Sequence, residues 1–151
     1  MTQGRDQLVV DASVAVKWHL ITEEDAEHAK RLLLALGEGT ITLFAPEHIR
    51  YEVPSAITVA TRGANPRLTA AKGRAAVSEF LALPLWTVSD DELVTCAYEA
   101  AQQYGIAFYD GLYVALAQRL SLPMVMADTR LHELVRHLPG MLWITDWRPA
   151  H

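Results

Sequence analysis

Two stretches decide the fold: Leu8-Val9-Val10-Asp11 and Pro123-Met124-Val125-Met126-Ala127-Asp128, each a run of β-forming residues closing on an aspartate. Short, continuous apolar runs of this kind suit parallel strands buried on both faces. In an open parallel sheet, ligands bind in the crevice at the carboxyl ends of the strands. The two aspartates are therefore expected to face one crevice. Between and beyond them, strand and helix signals alternate without repeats or low-complexity tracts. Strands are expected at 7–10, 41–44, 85–88 and 124–127, with 141–144 able to add a fifth. The alternation predicts an α/β fold: a four- to five-stranded, mostly parallel sheet with helices on both faces.

The helices have their own punctuation. A short helical turn is expected at 14–18. Thr22 reads as the start of a helix whose acidic first turn, Glu23, Glu24 and Asp25, suits the positive end of a helix dipole. That helix should stop near Gly37 and Gly39. Pro46 fits the first turn of the next helix, which Pro54 should kink. Gly63, Asn65 and Pro66 make a turn before a helix at 68–81. Ser89 is expected to cap a helix opening with Asp90, Asp91 and Glu92 and ending at Gly105. Residues 109–120 are apolar nearly all round and should form a buried helix, and 129–137 a short one.

The chain's 151 residues suit a single domain over 1–151, and 51% hydrophobic with 21% charged residues excludes a disordered chain. No apolar run approaches the ~20 residues that span a bilayer, and no signal-type segment follows Arg5 and Asp6. The single cysteine, Cys96, excludes an internal disulfide and fits a reducing cytoplasm. It is expected to pack in the core rather than react. A net charge of −5 is not the basic footprint of a nucleic-acid binder. Yet 53–78 contains no acid and carries Arg62, Arg67, Lys72 and Arg74. Two readings stand side by side: a track for a phosphate backbone, or a solvated helix face.

Asp11, Glu52, Asp110 and Asp128 all sit among apolar neighbours. A buried, unpaired carboxylate is costly and takes up a proton unless a cation holds it ionised. Singly, each has a plain structural reading: Asp11 or Asp128 as a helix cap, Glu52 or Asp110 as half of a salt bridge. Taken together they point to a metal site, because nearby bases are few: Lys17, Arg50 and Arg130. An all-oxygen donor set suits Mg²⁺ or Mn²⁺, and no zinc-ligand spacing is present. Metal ions so held activate water and stabilise charge on a phosphodiester oxygen. There is no Gly-X-Ser-X-Gly elbow, no histidine partner for Ser13 and no nucleotide-binding Gly-X-X-X-X-Gly-Lys loop. Phosphodiester hydrolysis is the task that remains.

Other residues have two readings. His19 contacts a scissile phosphate or, as favoured, packs. Arg130 binds phosphate or neutralises the acids. Tyr109 is placed to stack on an unpaired base, whereas Tyr113, Trp143 and Trp147 read as core or partner surface. The leucines of 29–36 exceed what one buried face needs and would suit a groove or a dimer contact.

The segments 9–18 (Val-Val-Asp-Ala-Ser-Val-Ala-Val-Lys-Trp), 46–57 (Pro-Glu-His-Ile-Arg-Tyr-Glu-Val-Pro-Ser-Ala-Ile), 109–117 (Tyr-Asp-Gly-Leu-Tyr-Val-Ala-Leu-Ala) and 124–131 (Met-Val-Met-Ala-Asp-Thr-Arg-Leu) occur in this order across nearly the whole chain. The ordered set resembles the PIN-domain ribonucleases, particularly VapC-type toxins of bacterial toxin–antitoxin pairs. The resemblance implies a PIN-like nuclease domain in which Asp11, Glu52, Asp110 and Asp128 bind the metal. Ser13, and Thr129 beside the last acid, would be supporting hydroxyls. It further implies Mg²⁺- or Mn²⁺-dependent endonucleolytic cleavage of RNA, a small VapB-type antitoxin that silences it, and a homodimer. DNA would be met only through the antitoxin. Three departures are expected to lower activity or reshape the site: Met126 where the family often has threonine, Ser55 where asparagine is common, and Pro54 beside it. Three alternatives remain. A phospho-acceptor signalling domain lacks its paired acids and late lysine here. A non-catalytic binding relative would be marked by a lost acid. A DNA-processing nuclease would share the same site.

Overall fold

The computed structural model describes residues 5–149. Five strands, β1 (Asp6–Val10), β2 (Ile41–Pro46), β3 (Trp86–Val88), β4 (Met124–Met126) and β5 (Met141–Trp143), form one sheet in the order β3-β2-β1-β4-β5. Every neighbouring pair is parallel, and Val9 lies opposite Phe44 on one side and Met124 on the other. The sheet is thus wholly parallel and the fifth strand forms. Its helices are α1 (Ala12–Lys17), α2 (Ala26–Glu38), α3 (Ile49–Ala60), α4 (Ala70–Leu81), α5 (Val94–Tyr104), α6 (Phe108–Leu120) and α7 (Thr129–Val135).

The chain steps outward from β1 to β3, then crosses back past β1 to β4 and β5. Right-handed crossovers in the two directions put helices on both faces. The order reverses between β1 and β4, and there the crevice opens. Asp11 follows β1 directly, and Asp128 follows β4 after Ala127.

Val9, Val10, Leu43, Met124, Val125 and Met126 are wholly buried, which is why these strands read as unbroken apolar runs. Each large side chain so buried contributes about 1.5–3 kcal/mol relative to exposure. In α6 every residue from Gly111 to Ala117 is buried, as its all-round apolarity requires. A Cβ on Gly111 would lie 2.5 Å from the Ala97 carbonyl oxygen of α5. The two helices therefore approach as closely as a glycine permits, and this contact seats the start of α6.

Several local expectations are corrected. α2 begins at Ala26 rather than Thr22, with Asp25 at φ 64°. The reason is tertiary: Glu23 receives Lys17 at 3.3 Å and Arg67 at 2.8 Å, which holds the acidic segment as a turn. The end of α2 is as expected, at Gly39 (φ 73°). Pro46 closes β2 instead of opening α3, at a position past Phe44, where the ladder to β1 has ended. Asp90–Glu92 form a 3₁₀ turn ahead of α5, and the Asp90 carboxylate instead accepts the His48 amide at 3.0 Å, at the start of α3. Cys96 is exposed, because the buried stripe of α5 runs through Ala97 and Ala100.

Candidate active site

Asp11 and Asp128 are both helix caps. Asp11 Oδ2 accepts the Ser13 amide at 3.1 Å and also the Ser13 hydroxyl. Ser13 Oγ in turn accepts the Ala127 amide at 2.9 Å, tying the end of β1 to the end of β4. Asp128 Oδ1 accepts the Leu131 amide at 2.9 Å. Each cap uses one carboxylate oxygen, so the structural and functional readings of these aspartates coexist. Glu52 and Asp110 come from the first turns of α3 and α6. Glu52 Oε1 is buried with no hydrogen-bond partner, and so is the Tyr113 hydroxyl that faces this side chain. His48 Nε2 lies 3.5 Å from Glu52 Oε1, outside hydrogen-bonding geometry.

Burial and mutual repulsion make these acids reluctant to ionise. Asp11, 4% exposed, is pushed up to about 6, first by burial and then by Asp110 and Asp128, against the Ser13 hydrogen bonds. Glu52 is pushed up to about 7, first by burial and then by Asp11, with Asp110 and Asp90 adding to the rise. Burial, then Asp128, raises Asp110. The Tyr113 hydroxyl is driven far above its ordinary value by burial and by Glu52. The four acids thus sense one another across a single crevice, with Asp128 exposed at its rim. Among the described residues no three His, Cys, Asp or Glu side chains are already drawn together closely enough to hold an ion.

The bases do not offset this charge. Lys17 pairs with Glu23 and donates to the Glu24 carbonyl, and Arg50 is exposed. Arg130 lines a depression of about 440 Å³ with Asp110 and Asp128, yet forms no ion pair among the described residues. Its two readings therefore part in favour of a free cation at the rim. Arg62, Lys72 and Arg74 are exposed, whereas Arg67 is committed to Glu23, which removes it from the basic track. Thr129 is exposed with no side-chain hydrogen bond among the described residues, so its supporting role finds no contact here. His19 packs edge-on to Phe80 at 5.9 Å and burial lowers its pKa, which supports the packing reading. Trp147 is buried and Trp143 packs on the core. Met126 is buried in β4, and Ser55 is exposed beside Glu52. Leu34 keeps 54% of its surface exposed, the surplus leucine expected of α2.

Three contributors were not singled out from the sequence: His48, Asp90 and the Tyr113 hydroxyl. The i,i+4 spacing of His48 and Glu52 was a usable signal. The reach of Asp90 across 42 residues to His48 has no local signature.

A small parallel α/β domain with acids gathered where its strand order reverses defines the class. The chain belongs to the PIN domain family, whose model matches residues 8–136. It is 35% identical over 130 residues to Ribonuclease VapC12 of Mycobacterium tuberculosis, covering 86% of this chain and 93% of that protein. Among solved structures it is similar to PAE2754 from Pyrobaculum aerophilum, with a TM-score of 0.65, 18% identity, and coverage of 94% of this chain and 93% of that one. It is also similar to VapBC2 from Rickettsia felis, solved bound to a DNA fragment from their promoter, with a TM-score of 0.59, 12% identity, and coverage of 91% and 96%. The family expected from the four segments is the family found. No described helix is long and apolar enough to cross a membrane.

Proposed function

We propose that this chain is a Mg²⁺- or Mn²⁺-dependent endoribonuclease, the toxin of a type II VapBC-like toxin–antitoxin pair, working in the cytoplasm. The observation that carries the reading is the carboxylate group of buried Asp11 and half-buried Glu52 and Asp110, together reluctant to ionise and, among the described residues, without a lysine or arginine partner. The buried Glu52 Oε1, which has no hydrogen-bond partner, suits a cation's ligand, and an all-oxygen donor set suits a hard cation. Asp11, Glu52, Asp110 and Asp128 would hold it. When bound there, such an ion would supply a water of lowered pKa and charge stabilisation at the phosphodiester oxygens. Ser13 keeps Asp11 aimed at the crevice through its bond to the Ala127 amide. Arg130 is free to meet the scissile phosphate, and Arg62, Lys72 and Arg74 to follow the backbone. The likeness to a ribonuclease, VapC12, supports an RNA substrate, and the VapBC2 complex on promoter DNA supports a VapB-type antitoxin; a homodimer, with DNA met only through the antitoxin, completes the proposal.

The helix-capping bonds of Asp11 and Asp128 favour a second reading, in which the acids are structural and the chain is a non-catalytic binding member of the family. One experiment separates them: cleavage of total RNA, and of single- and double-stranded DNA, by purified protein in Mg²⁺, Mn²⁺ and EDTA, beside Asp11→Asn. Discrete RNA fragments that vanish with EDTA and with the variant are expected. No cleavage by folded, antitoxin-free protein gives first place to the binding reading, and cleavage of DNA alone to a DNA nuclease.

A further inference from the structure

Four aromatic rings run side by side next to the acids. Tyr109 and His48 stack in parallel, their centroids 4.3 Å apart and their planes 2° from parallel. Tyr51 meets His48 at 6.4 Å, tilted by 58°, and Phe108 meets Tyr109 edge-on at 5.6 Å. The row joins the starts of α3 and α6, so Tyr51 immediately precedes Glu52 and Tyr109 immediately precedes Asp110. Folding does not explain its exposure: Tyr51 is 66% and Tyr109 55% exposed. Beside the row lies a depression of about 440 Å³ lined by His48, Tyr51, Glu52, Ser55 and Ala56, within the range of small-ligand sites. Ser55 Oγ makes no hydrogen bond among the described residues, which leaves it available to a polar edge, while His48 Nε2 faces Glu52 Oε1 at 3.5 Å.

A flat ligand with a π-face and a polar edge matches this surface, and a phosphodiester must lie beside the neighbouring acids. We infer that the Tyr51–His48–Tyr109–Phe108 row is a base-stacking platform that takes an unpaired nucleobase next to the cleaved phosphodiester. The inference rests on the ribonuclease reading and assigns this row of residues to the base beside the cut. A base inside a duplex keeps its faces stacked on its neighbours and cannot dock there.

The test titrates the full chain, in EDTA so that no metal-dependent cleavage runs, with a short single-stranded RNA containing 2-aminopurine and with its duplex. The wild type should quench the fluorescent base of the single strand. Tyr109→Ala and Tyr51→Ala should lose the quench and weaken binding by about 5- to 100-fold, while Tyr109→Phe keeps both. Thermal unfolding should change little, because both tyrosines are exposed. No binding, no quench, a quench untouched by either alanine, or a duplex bound as tightly as the single strand overturns the platform. Cleavage in Mg²⁺, run in parallel, separates the two readings. A lost quench in the variants without wild-type cleavage keeps the platform and removes the ribonuclease. Cleavage with an unaffected quench does the reverse.

Discussion

The acids Asp11, Glu52, Asp110 and Asp128 and the bases Arg62, Arg67, Lys72 and Arg74 are two sets of like charge in opposite surroundings. The bases stand in water, and Arg67 has found an acid. Asp11 is buried and Glu52 and Asp110 are half-buried; they repel one another, and among the described residues none of them pairs with a lysine or arginine. Gathering like charges in water costs little and says little about function. Gathering them under burial costs stability, and such groups cluster where chemistry is done.

Removing a charge from each set should widen that contrast. Glu52→Gln should lower RNA cleavage by roughly 10³-fold and yet raise the melting temperature of the metal-free protein at pH 8. A cleavage assay paired with calorimetry checks both halves, and a variant that melts lower with full activity breaks the comparison.

The pH dependence follows from the same shifts. Asp11 and Glu52 have folded-state values raised to about 6 and about 7, from 3.8 and 4.5. A raised carboxyl stabilises the fold below its unfolded value, and that stability is lost as pH rises through the folded value. Denaturant unfolding in EDTA should therefore show stability falling between about pH 4 and pH 8, by on the order of 2–3 kcal/mol for Asp11 alone. Saturating Mn²⁺ should reverse the fall at the alkaline end, and a flat profile would contradict the burial argument.

Gly111→Ala tests the placement of an acid without touching its charge. The added methyl meets the Ala97 carbonyl, so about 1–3 kcal/mol of stability should be lost. Cleavage should fall as the start of α6, with Asp110, is pushed away. The smallest effects belong to the basic set. Lys72→Ala and Arg74→Ala should each raise KM a few-fold at low salt and little at high salt. Arg67→Ala should cost less than about 1 kcal/mol.

The sheet was legible because β1 and β4 are buried on both faces and carry unbroken apolar runs. The acids were legible because carboxylates at strand ends and in the apolar α6 contradict their neighbours. What could not be read locally was which residue serves which element. Asp90 caps α3 rather than its own helix, and Glu23 holds Lys17 and Arg67 instead of starting α2. Cys96 turns outward on a register that its neighbours alone do not set. The aromatic row shows the same limit: Tyr51, His48 and Tyr109 come together only when α3 and α6 start side by side.

The most direct test of the central claim is Mn²⁺ binding at pH 8, measured by titration calorimetry on the metal-free wild type and on Asp11→Asn. Binding by the wild type that the variant weakens at least about tenfold is the result expected of a carboxylate metal site. No binding by folded wild type, or binding that Asp11→Asn leaves unchanged, would contradict it.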